Sequence, residues 1–190
     1  MRRWHAAQLP AGWGSFALHG RASAAPAGTR ARSYDPRGWQ LSWDPPSRPA
    51  EAGPCACDVE WRGRRMDPAL ARWAPDGVDS WSFWVLAELA AKLLDMPVLE
   101  WLWRYRDGRV PRLPAAARAL VVPEWSAGWT LGFACLAAGP AGPARKSREA
   151  PRGDAGGPRT RSPWGFRRDR IVVVDAESLP AVAGGTREVA

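Results

Sequence analysis

The sequence contains no asparagine, a single isoleucine (Ile171), two histidines and three cysteines among its 190 residues. A serine or cysteine nucleophile needs a neighbouring base, most often histidine. Because His5 and His19 both lie near the N-terminus, in a segment that we expect to be a leader, a histidine-based triad is close to excluded. Three cysteines are too few for a disulfide framework, and their odd number argues against a fully paired secreted protein. We therefore expect an intracellular, reducing compartment.

Ligands for metals and phosphates are equally scarce. A structural zinc site needs about four cysteine or histidine ligands, and Cys55 and Cys57 stand without a second pair. No glycine-rich phosphate-binding loop of the usual form occurs. Asp58 and Glu60 are the only support for an enzyme, since they alternate along a predicted strand and share one face, although such pairs usually face solvent. We therefore expect a non-enzymatic protein without cofactor or metal.

Long apolar runs are also missing. Residues 125–138 are uncharged and largely apolar, but this run has only 14 residues before Gly139-Pro140, whereas a membrane-spanning helix needs about 20 apolar residues. We expect no transmembrane span and interpret this run as a buried strand or helix.

What the sequence has in abundance is arginine, glycine, proline and tryptophan. Gly and Pro number 19 each, Trp 13, and all but two of the 27 basic residues are arginine. The net charge of +8 is segregated: residues 1–34 carry +5, 35–138 carry −1, 139–170 carry +6 and 171–190 carry −2. We expect these domains: 1–34, a disordered or organelle-targeting leader; 35–138, a small globular domain; 139–168, a disordered basic linker; 169–190, a returning strand at Ile171–Val174 and a loose tail.

One segment has a clear helical period. Apolar residues recur at three- and four-residue steps from Phe83 to Leu94, which predicts a helix over about 80–95 with Asp79 or Ser80 as its N-cap. Glu88 and Lys92 are expected on the opposite side, and Pro97 ends or kinks the helix.

The other elements predicted are short. Trp39–Trp43 and Cys55–Arg62 alternate like strands and could pair with each other. Asp67-Pro68 is typical of a helix start, with the helix reaching residue 74. For Val98–Tyr105 a helix and a hairpin turning at Asp107-Gly108 remain open, with the helix favoured, and a short helix is expected over 114–121. The fold class that follows is α+β: one small Trp-rich domain around the central helix with a few short strands, flanked by disordered basic arms.

The tryptophans come in close pairs, and two interpretations remain open for them. In the first, they supply core volume that isoleucine and methionine do not. In the second, they form a surface of exposed rings that stacks nucleobases, holds a cation or receives a Pro-rich peptide. The candidate exposed aromatics are Trp81, Trp84, Trp101 and Trp103.

The segregated charge suggests a function. We expect a small basic interaction protein whose arms contact nucleic acid or another polyanion, or else a protein partner. The candidate contacts are Arg145, Lys146, Arg148, Arg167, Arg168 and Arg170. The alternative hypothesis is the product of a GC-rich or overlapping reading frame with little stable fold and no biochemical function, which the missing asparagine and scarce isoleucine favour.

Overall fold

The computed structural model describes residues 4–20, 31–45, 52–106, 113, 117–125, 128–137 and 171–173. Within these ranges the chain forms strands and three helices. The strands are β1 Trp4–Gln8, β2 Ser15–His19, β3 Ala31–Tyr34, β4 Gln40–Asp44, β5 Ala52–Trp61, β6 Ala117–Trp125, β7 Trp129–Ala137 and β8 Ile171–Val173. The helices are α1 Pro68–Ala71, α2 Ser80–Leu93 and α3 Val98–Arg106.

The strands form two four-stranded sheets. The first has the order β1-β2-β4-β3 and is antiparallel throughout. The second has the order β5-β7-β6-β8, in which only the β6–β8 pair is parallel. The described part of the chain is therefore mostly β, and the predicted fold class, a central helix with a few short strands, is wrong.

The second sheet is the middle of three layers. Alternating residues of β5 face opposite ways, as strand geometry requires. Cys57 and Val59 pack toward the first sheet in a core with Leu41, Trp43 and other buried residues. Ala56, directly before Cys57 and on the other face, belongs to a separate core with α2 and α3. The sheet is thus covered on both sides.

Small residues on the helix-facing side of the second sheet allow α2 to approach closely. A Cβ atom at Gly132 would lie 2.2 Å from Val85 Cγ1 and 2.8 Å from Leu89 Cδ1 of that helix. Ala119 and Ala134, also on this side, are fully buried in the same core. The position of α2 therefore depends on the absence of side-chain volume at the centre of the sheet.

The N-cap of α2 also attaches the helix to the end of β5. The Asp79 carboxylate accepts hydrogen bonds from the Ser82 backbone N–H at 2.9 Å and the Ser82 hydroxyl at 2.7 Å. Arg62, directly after β5, donates to both oxygens of the same carboxylate, at 3.2 and 3.0 Å. The first turn of α2 is thereby held beside the residues that follow β5.

Several local predictions agree with the structure. Asp79 is the N-cap of α2, and Asp67 caps α1 with Pro68 at the first helical position. The helical alternative at 98–105 corresponds to α3, and Ile171–Val173 returns to the second sheet beside β6. Asp107-Gly108 lies outside the described residues.

Longer-range predictions differ from the structure. The strands predicted at 39–43 and 55–62 exist as β4 and β5 but lie in different sheets, because β4 pairs with β2 and β3 while β5 pairs with β7. The helix expected at 114–121 is instead strand β6 over its described residues. Residues 4–8, 15–19 and 31–34 lie in the segment predicted to be a leader, yet they form β1, β2 and β3.

Candidate functional site

A groove of about 610 Å³ lies where the end of β5, the loop after it, α1 and the first turn of α2 meet. Trp81 and Trp84 are three residues apart in α2, so their side chains lie on the same side of the helix. Both indoles line the groove and are half-buried. The remaining lining residues are Pro36, Glu60, Arg64, Arg65, Met66, Asp67, Pro68 and Leu70.

Glu60 provides the carboxylate of the groove. The Trp84 Nε1–H donates to its Oε1 at 3.0 Å, and the Arg64 guanidinium donates to its Oε2 at 3.2 Å. Burial, reinforced by the nearby Asp58 charge, raises the pKa of Glu60, although its bonds with Trp84 and Arg64 oppose that shift. The result is a carboxylate with fixed orientation at the wall of an open groove.

Arginine side chains supply the positive charge of the groove. The Arg64 guanidinium carbon is 5.7 Å from the ring centre of Trp81, within the range of a cation–π contact. Arg65 follows it and is exposed. Since Glu60 neutralises Arg64, the Arg65 guanidinium is the charge best placed to meet an anionic ligand.

In the last turn of α2, Lys92 joins three elements. Its Nζ donates to Asp58 Oδ1 on β5 at 2.7 Å, to the Cys57 carbonyl at 3.0 Å and to Ser33 Oγ on β3 at 3.2 Å. Ser33 in turn donates to Asp58 Oδ1 at 2.9 Å. Burial lowers the pKa of Lys92, but the Asp58 carboxylate outweighs it and the net shift is upward. Lys92 is therefore a cation that binds β3, β5 and α2 together.

Glu88 lies one turn before Lys92 on α2. Burial and the neighbouring charge of Asp58 raise its pKa to about 7, against the opposing effect of Lys92. The prediction placed Glu88 and Lys92 on the side of α2 away from the core, whereas both are electrostatically coupled to Asp58 on the helix-facing side of β5.

The carboxylates do not converge on one reaction centre. Asp58 and Glu60 share the helix-facing side of β5, as the alternation predicted, but Glu60 lines the groove while Asp58 is 4% exposed and paired with Lys92. Among the described residues, the only carboxylates that line the groove are those of Glu60 and Asp67. The Asp67 carboxylate already accepts a hydrogen bond from the Ala69 N–H as the N-cap of α1.

The four predicted surface aromatics separate into three groups. Trp81 and Trp84 line the groove. Trp103, on α3, is 55% exposed, away from the groove, with the Arg106 guanidinium carbon 4.0 Å from its ring centre. Trp101 is not a surface ring: it is 0% exposed, because it points into the core beside Phe83 and stacks on Tyr105.

The predicted arm contacts, Arg145, Lys146, Arg148, Arg167, Arg168 and Arg170, lie outside the described residues. His19, predicted to be in a tail, is instead a buried residue of β2. In the described ranges no group of three or more His, Cys, Asp and Glu side chains is arranged to hold a metal ion. Every helix in those ranges is too short or too polar to cross a membrane.

Sequence reasoning identified Trp81, Trp84 and Glu60 but did not bring them together, and it missed Arg64 and Arg65. The signal was present: two arginines follow directly after a strand that carries acids on its helix-facing side. No protein-family model, no curated protein and no solved structure matches the chain.

Proposed function

We propose that the protein is a small non-enzymatic interaction module that binds single-stranded nucleic acid. The groove would hold unpaired bases, and the arginine-rich arms would contact phosphates. The observation that carries this proposal is the placement of two half-buried indoles beside Arg64 and Arg65, in a chain whose residues 139–170 carry a net charge of +6.

Bases, rather than phosphates alone, suit the chemistry of the groove. A base stacked on an aromatic side chain contributes about 1–3 kcal/mol, and this requires a base face that is not already stacked in a duplex. The Trp81 ring already has a guanidinium on one side, so a base could continue the stack. Glu60 could accept a hydrogen bond from a base amino group, as carboxylates do from cytosine.

The charge distribution suggests that the folded part and the arms contribute differently to binding. In the groove, Arg64 and Arg65 are balanced by Glu60 and Asp67, so the groove has no net charge and cannot by itself attract a polyanion strongly. The six candidate arm residues would therefore supply the salt-dependent part of the affinity.

The test is a binding titration of the full chain with fluorescently labelled single-stranded RNA and DNA at about 50 and about 200 mM salt. Trp81→Ala should weaken binding about 5- to 100-fold and leave the salt dependence unchanged, because it removes a stacking platform and no charge. Replacing the six arm residues by Gln should reduce the slope of log K against log salt by up to about 4, at about 0.7 per phosphate contact.

Trp103→Ala is the matched control, because it removes an exposed tryptophan that does not line the groove. Affinity unchanged in Trp81→Ala, or reduced equally in Trp103→Ala, would refute the groove as the base-binding site. Equal affinity for heparin would show a general polyanion binder, and binding of a proline-rich peptide with no binding of nucleic acid would favour a protein partner.

A further inference from the structure

Two of the three cysteines lie directly opposite each other in the second sheet. In the antiparallel β5–β7 pair, Cys55 is the register partner of Cys135. Opposite residues of such a pair point to the same face, with Cα atoms about 4.5–5.5 Å apart. A disulfide requires Cα atoms about 4.4–6.8 Å apart, so the backbone places this pair within bonding range without moving either strand.

The surroundings of the two thiols differ in ways that suit a reaction between them. Cys55 is only partly buried, so a small oxidant can reach it, and its thiol donates to the Gly53 carbonyl at 3.4 Å. Cys135 is buried, and the Arg118 Nε–H donates to its sulfur at 3.1 Å. The accessible thiol can therefore react with the oxidant first, and the buried thiol lies opposite it to form the disulfide.

Cys57 provides an internal contrast. It is 1% exposed, its register partner is Phe133, and its Sγ lies 3.8 Å from the Leu41 carbonyl oxygen. Burial raises the pKa of the Cys57 thiol, which keeps it protonated and unreactive. β5 thus carries one cysteine that lies opposite another cysteine and one that does not.

We propose that Cys55 and Cys135 form a reversible redox pair that closes into a cross-strand disulfide when the protein meets a peroxide. The Cys55 sulfur attacks the peroxide, breaks the O–O bond, becomes a sulfenic acid and releases one water. The Cys135 thiol then attacks that sulfur, gives up its proton and expels the second oxygen as water. Two thiols lose two electrons and two protons, the peroxide becomes two waters, and a small dithiol restores both thiols.

The bond would join neighbouring strands on either side of a long loop. The chain between the two cysteines contains about 80 residues and includes α1, α2, α3 and β6. It therefore includes the loop after β5 and the first turn of α2, which form most of the groove. The inference is independent of the proposed function, since it rests on strand register and thiol surroundings alone.

The experiment treats the native, reduced protein with hydrogen peroxide and measures intact mass, free thiols and a non-reducing peptide map. We expect a mass loss of two hydrogens, loss of two of the three thiols, and a cross-linked peptide pair containing Cys55 and Cys135. Dithiothreitol should reverse all three changes.

Cys57→Ser is the matched control and should react as the parent protein does. Cys55→Ala and Cys135→Ala should form no intramolecular disulfide, with the sulfenic acid of Cys55 trapped by dimedone in the second variant. A Cys55–Cys57 cross-link, sulfinic acid without a cross-link, or a disulfide that forms only in denaturant would each overturn the proposal. The peptide map of the parent protein decides the matter even where a variant fails to fold.

Discussion

Replacing Lys92 by methionine is the most direct test of how the three layers are held together. Methionine keeps most of the length and apolar surface of the lysine stem but removes the charge. In the folded protein Lys92 Nζ contacts Asp58 Oδ1, the Cys57 carbonyl and Ser33 Oγ. Asp58 Oδ2 is buried with no hydrogen-bond partner among the described residues, so without Lys92 only Ser33 would still bond the carboxylate.

The expected loss of stability follows from the burial of the two partners. The Asp58 side chain is 6% exposed and that of Lys92 34% exposed. Removing one partner of a buried ion pair costs about 3–5 kcal/mol, because the other charge is left uncompensated. Since a third of Lys92 is exposed and water can partly replace it, we expect the lower end of that range, about 3 kcal/mol.

Equilibrium unfolding in urea, followed by circular dichroism and tryptophan fluorescence, measures the effect. Arg104→Met is the control, since it breaks the Arg104–Glu100 pair, whose side chains are 48% and 46% exposed, and should cost no more than about 1 kcal/mol. The double variant Asp58→Asn/Lys92→Met should recover part of the loss, because the buried charge is gone. A cooperative transition in the parent protein would also exclude the hypothesis of a chain with little stable fold.

A Lys92→Met variant as stable as Arg104→Met, or a double variant less stable than the single one, would refute the stabilising role of the Lys92–Asp58 pair. A second check uses pH. Because the folded-state pKa of Lys92 is raised above its unfolded value of about 10.5, its contribution is complete below that value. The contribution is lost as the pH rises through the folded pKa, so the parent should lose more stability in that window than Lys92→Met.

Two further predictions concern the contact between α2 and the second sheet. Gly132→Val should lower the free energy of unfolding by about 1–3 kcal/mol or more, because the new Cβ would overlap Val85 and Leu89. Adding Val85→Ala should restore part of that loss in the same urea assay. Glu88→Gln should stabilise the protein by about 1–2 kcal/mol at pH 8 after allowance for solvent screening, and have no effect near pH 4. The reason is that the Glu88 pKa is raised from 4.5 to about 7, so the parent loses stability as the pH rises between those values; equal pH dependence in both proteins would contradict this.

The parts of the fold that the sequence predicts are those governed by local interactions. The apolar period of α2 and the capping residues Asp67 and Asp79 involve partners no more than four residues away, and all three predictions match the structure. A cap is recognisable because the side chain bonds a backbone N–H two or three residues later.

Strand β6 was predicted as a helix for a physical reason. β6 begins in an alanine-rich segment, which favours a helix by intrinsic propensity. In the structure Ala117, Ala119 and Val121 belong to the core beneath α2, where larger side chains would push the helix away. Packing against α2 therefore requires small residues such as alanine in this strand. When the segment is considered alone, the same alanines indicate a helix.

The N-terminal strands escaped prediction because each has only four or five residues, and the first sheet is completed only when the β1–β2 pair joins β4, further along the chain. β2 contains Phe16 and Leu18, which are buried between the sheets, but it pairs with β4 more than 20 residues later. The absence of acidic residues up to residue 34 favoured a leader, although the lack of any Arg, Lys, Asp or Glu in residues 4–20 is equally typical of buried strands. The groove was missed for the same reason, since its residues come from β5, α1 and α2 and only the three-dimensional arrangement brings them together.

The positions of the two acids of β5, Asp58 and Glu60, have different physical explanations. A slip of one residue in the β5 register would turn Asp58 and Glu60 into the core between the sheets and turn Cys57 and Val59 toward the helices. The Lys92–Asp58 ion pair opposes that slip because it can form in one register only. This stabilising role is sufficient to explain why the Asp58 charge is buried. Glu60 has no such explanation, since it lies at the wall of an open groove and is oriented by an indole and a guanidinium. A function carried by the folded part of the chain is therefore to be sought at Glu60, Trp81 and Trp84, and Asp58 belongs to the stability of the fold.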